Sequence, residues 1–194
     1  MVRVMLAYAV VVSLILPNAI GVVAQESPQD SPAAQLLPDP SDLGAGWTLH
    51  SGALEDAGGN PSFTSLSGAA YVGPNGGRVF TVVFLVAEGP AAAREAWQFA
   101  NTVFDEARLL FAVDYADEQS LKGSSALAGC ADMRRTDGTE KMFPLMAVGL
   151  TLCVADPDLI VLAYVSGEIN GLTGIAASDR VVEIVLDSSG REIL

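Results

Sequence analysis

Residues 78–87, RVFTVVFLVA, constrain the fold more than any other segment of the chain. In an extended backbone successive side chains point to opposite faces, so Val79 and Val83 share one face while Phe80 and Phe84 share the other. Both faces of this segment are apolar. Such a strand is stable inside a sheet, with a covering layer on each side. The sequence therefore predicts a central β-strand around which the other elements are arranged.

Asn75-Gly76 stands just before this strand and marks the tight turn of a hairpin, because both residues tolerate the positive φ angles of such a turn. The strand before the turn is predicted over residues 66–73. Further strands are predicted at residues 46–54, 126–135, 142–155 and 159–167. Residues 114–125 are rich in polar side chains and are predicted to be a connector.

Two helices are predicted from apolar residues that recur at spacings of three and four. The first begins near Pro90 and runs for about 20 residues, and the second covers residues 175–187 and ends before Gly190. This order of elements predicts an α+β domain: an antiparallel sheet of about five to six strands with two helices packed mainly on one face. The apolar stripe of the first helix consists of Ala93, Trp97, Ala100, Phe104, Ala107 and Phe111.

The strand at residues 142–155 separates large from small side chains. Leu150 and Leu152 share its bulky face, whereas Gly149, Thr151 and Cys153 share its small face. The bulky face is expected to carry the helices. The small face is expected to admit something closely packed, which leaves a loop, another strand layer or a ligand as alternatives.

The first 24 residues have the three parts of a secretory signal peptide: a basic start at Arg3, an apolar run and small residues before Gln25. An uncleaved membrane anchor is the alternative, since the apolar stretch is long enough to span a bilayer. Residues 25–42 contain four prolines and are predicted to be a disordered linker. A single domain is expected over residues 43–194, without a stable membrane span after signal cleavage.

Charge and cysteine content agree with an exported protein. The formal net charge of −13 disfavours binding to nucleic acid or to an anionic membrane surface. The two cysteines, Cys130 and Cys153, are predicted to form a disulfide in an oxidising compartment, with two buried free thiols as the alternative. A turn at Asp137-Gly138 would pair Cys130 with a residue near position 145, so the sequence leaves the geometry of the bridge open.

The search for catalytic and metal-binding motifs finds none. His50 is the only histidine and lies in a predicted edge strand, away from any nucleophile that it could activate. The carboxylates fall in predicted loops or on the polar side of the helix, where solvation is their usual role. Asp114, Asp117 and Glu118 are a weak calcium candidate without EF-hand spacing. The sequence therefore predicts a non-catalytic protein without a cofactor or a metal.

Aromatic side chains are the remaining candidates for ligand contact. Trp47 follows a glycine-rich turn and is interpreted as the first core anchor of the domain, with display for a ligand as the alternative. Phe80, Phe84 and Trp97 are interpreted as core residues. If they instead lined a cavity together with Phe104 and Phe111, the protein would be a carrier of a small apolar molecule between sheet and helix.

The phrase LLPDPSDLGAGW at residues 36–47 precedes a tyrosine-bearing strand, a hydrophobic strand and a helix that opens with EGPAAAREAW. This layout resembles a recurrent one among uncharacterised exported proteins and lipoproteins of bacteria, over residues 36–190. The resemblance implies a compact α+β domain outside the cytoplasm, but no catalytic residues. The lipid-bearing cysteine of the lipoproteins is absent here. We expect a bacterial secreted, non-catalytic domain that binds an unknown protein or small molecule.

Overall fold

The computed structural model describes residues 31–52, 62–96, 98, 113–117, 129–135, 148–155 and 158–190. Within these ranges, a seven-stranded sheet forms the centre of the molecule, in the order β1-β2-β3-β7-β6-β5-β4 with every neighbouring pair antiparallel. The α+β class predicted from the sequence is confirmed. The strands are β1 Thr48–Gly52, β2 Phe63–Val72, β3 Arg78–Val86, β4 Val113–Asp117, β5 Gly129–Arg135, β6 Val148–Ala155 and β7 Leu159–Ser166.

The central position of β3 is confirmed. This strand pairs with β2 on one side and with β7 on the other, and its side chains enter two separate core clusters. Val79 and Val83 belong to one cluster, and Val82 and Phe84 belong to the other. We call the two sides of the sheet the Val79 face and the Phe84 face.

Helices cover both faces, which differs from the expectation that they pack mainly on one. The short helix α1, Pro40–Leu43, and the C-terminal helix α3, Ile175–Ser189, lie on the Val79 face. The helical residues 90–96, here α2, place Ala96 and Ala92 against the Phe84 face. The sheet needs both layers because its central strands are apolar on both sides. The remaining stripe residues of the predicted long helix, from Trp97 onward, lie outside the described residues.

The small face of β6 receives helix α3, so the expectation that the bulky face carries the helices is wrong for this helix. A Cβ atom on Gly149 would lie 2.1 Å from the carbonyl oxygen of Gly174, immediately before α3. The small side chains of β6 thus let the start of the helix approach the strand closely. Leu150 and Leu152 instead lie on the Phe84 face with α2.

Residues 113–117, predicted to be mostly connector, form the edge strand β4 and pair with β5. An edge strand has only one neighbour and tolerates charged residues such as Asp114 and Asp117. This strand raises the main sheet to seven strands, above the predicted five to six.

Residues 31–42 lie in the range predicted to be a disordered linker, but they are structured and contact the sheet. Ala33 is fully buried, and its backbone N–H donates a hydrogen bond of 3.2 Å to the Ser65 hydroxyl of β2. Leu36 and Leu37 pack against the core on the Val79 face. The apolar side chains between the prolines therefore bind this segment to the sheet, and the folded part begins before Leu43. The predicted signal segment lies outside the described residues.

Candidate functional site

Trp47 forms the wall of a surface pocket at one end of the Val79 face. Its side chain is 6% exposed and belongs to the core cluster of that face, as expected for a core anchor. Gly73 lies flat against the indole, since a Cβ atom there would come within 2.5 Å of Cε2. One part of the indole ring therefore packs in the core, while another part borders a pocket of about 230 Å³.

Three turns surround this pocket. The first leads from the end of α1 into Trp47, the second is the 3-10 turn Pro74–Gly76, and the third runs from Gly167 through a small hairpin of β8, Glu168–Ile169, and β9, Leu172–Thr173. Two of them contain Asn-Gly, and both asparagines have positive φ angles: 56° at Asn75 and 50° at Asn170. The tight-turn prediction for Asn75-Gly76 is thereby confirmed. The residues that line the pocket are Leu43, Gly44, Ala45, Trp47, Pro74, Asn75, Gly77, Gly167, Glu168 and Asn170.

Hydrogen bonds between the turns hold the pocket in shape. The Asn170 side-chain N–H donates to the carbonyl of Asp42 at 3.2 Å, which links the third turn to α1. The backbone N–H of Asp39 donates to the Asp42 carboxylate at 3.0 Å and caps the start of that helix. The Asn170 contact connects parts of the chain that are 128 residues apart.

Below α1, Tyr71 ties the N-terminal segment to the sheet. Its phenolic O–H donates to the carbonyl of Pro38 at 2.6 Å, and its side chain is 2% exposed. Burial, with the nearby carboxylates of Asp39 and Asp42, raises the pKa of Tyr71 well above its ordinary value. The phenol thus stays protonated and keeps its donor at neutral pH.

The polar groups of the pocket converge from two of its turns. Asn75, Glu168 and Asn170 are exposed and line the pocket beside Trp47 and Pro74. Glu168 is the one charged residue among the ten that line it. The sequence analysis missed Pro74, Asn75, Glu168 and Asn170 as site residues. The repeated Asn-Gly was a signal for the turns, but not for their proximity.

Phe80 and Phe84, two of the other aromatic candidates, do not line this pocket. Phe84 is 1% exposed on the opposite face, where its ring centroid lies 5.4 Å from that of Phe63. Phe80 is partly buried on the same face. The structure thus separates Trp47 from the phenylalanines. Trp97, Phe104 and Phe111 lie outside the residues whose side chains are described, and the carrier hypothesis stays a prediction.

The strand register brings the cysteines together. Cys130 of β5 lies directly opposite Cys153 of β6, which is not the pairing that a tight turn at Asp137-Gly138 would give. Directly opposed residues of antiparallel strands have Cα atoms about 4.5–5.5 Å apart, within the range that a disulfide spans. Cys153 is 1% exposed, and the described residues include no free cysteine. The disulfide between them stays a prediction.

A second polar cluster joins β6 to α3. The Thr151 hydroxyl donates to the Asp179 carboxylate at 2.6 Å and lies 2.7 Å from the Ser178 hydroxyl. Both hydroxyl-bearing residues are at most 1% exposed. Because solvent and substrate do not reach these hydroxyls, the cluster positions the helix and does not present a nucleophile.

Metal binding and general base catalysis receive no support from the described side chains. Within the described ranges, no group of three or more His, Cys, Asp and Glu residues has a geometry that could hold a metal ion. His50 is exposed on the edge strand β1. Glu118 of the weak calcium candidate lies outside the described residues.

No protein-family model, curated protein or solved structure matches the chain. In the part that the structure describes, no helix is both long enough and apolar enough to cross a membrane.

Proposed function

We propose that this protein is a secreted, non-catalytic domain that binds an extracytoplasmic protein or small molecule through the Trp47 pocket. The observation that carries the proposal is the convergence of Asn75, Glu168 and Asn170 on a pocket walled by Trp47. Ligand sites are concave and contain a few placed polar groups that fix the orientation of the ligand. The predicted signal segment supports a location outside the cytoplasm.

The turns that form the pocket are held before any ligand arrives. Tyr71 donates a hydrogen bond to the Pro38 carbonyl, and Asn170 donates one to the Asp42 carbonyl. Gly73 packs closely against the indole of Trp47. A site with a fixed shape loses little conformational entropy on binding. Its volume of about 230 Å³ lies below the range of about 300–1,000 Å³ for drug-sized ligands, so it suits one side chain or a small molecule.

A nuclear magnetic resonance titration tests this function. The chain has two tryptophans, so uniformly ¹⁵N-labelled protein gives two indole N–H signals, and a Trp97→Phe variant assigns the one from Trp47. Four probes represent different chemistries: methyl glucoside, n-butylammonium, butyrate and N-methylacetamide. We expect at least one probe to shift the Trp47 signal saturably.

Two matched variants locate the response. Ala45 is exposed and lines the pocket, so Ala45→Phe should block it and abolish the shift. Ala91 is exposed on α2, and Ala91→Phe adds the same ring elsewhere and should leave the titration unchanged. If none of the four probes shifts the Trp47 signal, or if Ala45→Phe has no effect on the shift, the proposed function is wrong.

A further inference from the structure

We propose that the Trp47 pocket takes an alkylammonium group, either from a lysine side chain of a protein partner or from a free amine. This inference rests on the proposed function and adds the chemical class of the ligand. It derives from the charge of the pocket, from the hydrogen-bonding groups that remain free in it and from the apolar surface beside them.

The charge at the pocket is negative. Glu168 is its one charged lining residue, and Asp39 and Asp42 add two carboxylates in the turn of helix that ends at the lining residue Leu43. Arg78 directly follows the lining residue Gly77, but side chains alternate along β3. Because Val79 points to the face that holds Trp47, Arg78 points to the opposite face. A cation at the pocket therefore meets attraction from these carboxylates.

The polar lining is suited to a donor. The Glu168 carboxylate accepts hydrogen bonds only, and one N–H of Asn170 is already used on the Asp42 carbonyl. The side-chain oxygens of Asn75 and Asn170 are further acceptors. An ammonium group has three N–H donors and no acceptor, so it matches this lining better than a carboxylate or a phosphate does.

The apolar lining is suited to the methylene stem of such a ligand. Pro74, which is exposed, and the accessible part of Trp47 contribute apolar surface next to Glu168. Lysine side chains bury their methylene groups along apolar surface while the charged end stays near solvent and a counter-charge. The pocket thus combines a place for the stem with a carboxylate for the head.

The test compares probes that share one stem, using the Trp47 indole signal of the full chain. n-Butylammonium should bind saturably in the millimolar range. 1-Butanol lacks the charge and butyrate reverses it, so both should bind at least about tenfold more weakly. Raising the salt concentration should weaken n-butylammonium binding, because the carboxylates at the pocket are exposed to solvent.

A pair of variants tests the role of Glu168. Glu168→Gln should weaken n-butylammonium binding by about fivefold, the effect of one exposed ion pair. Glu88→Gln is the matched control, because Glu88 is exposed and does not line the pocket. This substitution changes the total charge by the same amount as Glu168→Gln, and it should leave n-butylammonium binding unchanged. Equal loss in both variants would overturn the inference, because it would show a general charge effect.

The probes also identify the source of the ammonium group. An acetylated, amidated Gly-Lys-Gly peptide that binds more tightly than n-butylammonium supports a lysine of a protein partner, and equal affinity supports a free amine. If methyl glucoside binds and n-butylammonium does not, the ammonium inference is wrong and the proposed function stands. If no probe binds, both are wrong.

Discussion

The Tyr71 hydroxyl donates a hydrogen bond to the carbonyl of Pro38, 2.6 Å away and 33 residues earlier in the chain. This bond attaches the N-terminal segment to β2 two residues before α1, whose last residue, Leu43, lines the pocket. The stability of the segment and the shape of the pocket therefore depend on the same contact.

Tyr71→Phe should destabilise the protein by about 1 kcal/mol, because it removes one buried hydrogen bond and leaves the Pro38 carbonyl without its donor. Chemical denaturation at neutral pH measures this change. Tyr164→Phe removes the hydroxyl of a less buried tyrosine on β7 and provides a comparison. Equal stability of Tyr71→Phe and the wild type would contradict the role given to this bond.

Tyr71 also makes the free energy of unfolding depend on pH in the alkaline range. Its pKa is raised in the folded state, mainly by burial, while in the unfolded chain a tyrosine ionises near pH 10. Below pH 10 the folded and the unfolded protein both keep the Tyr71 proton, so the stabilisation that the buried phenol provides is fully present. Above pH 10 the unfolded state loses protons first, so the free energy of unfolding should fall as pH rises. Tyr71→Phe should reduce this fall, as denaturation curves between pH 8 and about 11 would show.

Trp47→Ala should lower the free energy of unfolding by about 3–5 kcal/mol, as truncation of a large buried side chain does. Gly73→Ala should also destabilise, because its added methyl group would collide with the indole. Gly76→Ala serves as a comparison in the same turn, with open space around the new Cβ although its φ of 79° adds strain. In thermal unfolding, Gly73→Ala should have a lower Tm than Gly76→Ala. The reverse order would argue against close packing of Gly73 on the Trp47 indole.

Thr81→Val should stabilise the protein by about 1 kcal/mol. The Thr81 hydroxyl is buried on the Val79 face without a hydrogen-bond partner, which costs free energy because the hydroxyl has lost its contacts with water. Valine replaces the hydroxyl by a methyl group, so it removes this cost and leaves the side-chain volume almost unchanged. Thr64→Val is the matched control, since the Thr64 hydroxyl is exposed and donates to the Leu85 carbonyl at 3.2 Å. A clear loss of stability in Thr81→Val would indicate a bound water that bridges the hydroxyl.

Peptide mapping under non-reducing conditions should find Cys130 linked to Cys153, which lie opposite each other in β5 and β6. The bridge would close a loop of about 23 residues and contribute about 3 kcal/mol in the chain-entropy model. A Cys130→Ala/Cys153→Ala double variant should therefore unfold at lower denaturant concentration. Two free thiols in the exported protein would show that the prediction is wrong.

Much of the fold was predictable because it follows from local periodicity. The two apolar faces of β3, the Asn75-Gly76 turn and the stop of α3 at Gly190, which has the left-handed conformation of a helix cap, all depend on residues close in sequence. Ordering of residues 31–42 was missed, since Ala33 and Pro38 become buried only through distant partners, Ser65 and Tyr71. The strand β4 was missed for the same reason: its polar residues acquire strand structure by pairing with β5.

The sequence by itself determined six of the seven strands of the main sheet, the turn chemistry, the acidic charge and the role of Trp47 as a core anchor, because these depend on side-chain alternation and composition. The tertiary structure decided which face of β6 receives α3, that Cys130 opposes Cys153, and that Asn75, Glu168 and Asn170 meet beside Trp47. These relationships join residues far apart in the chain. Their proximity depends on strand order and register, which are set by the packing of the whole sheet and not by any one segment.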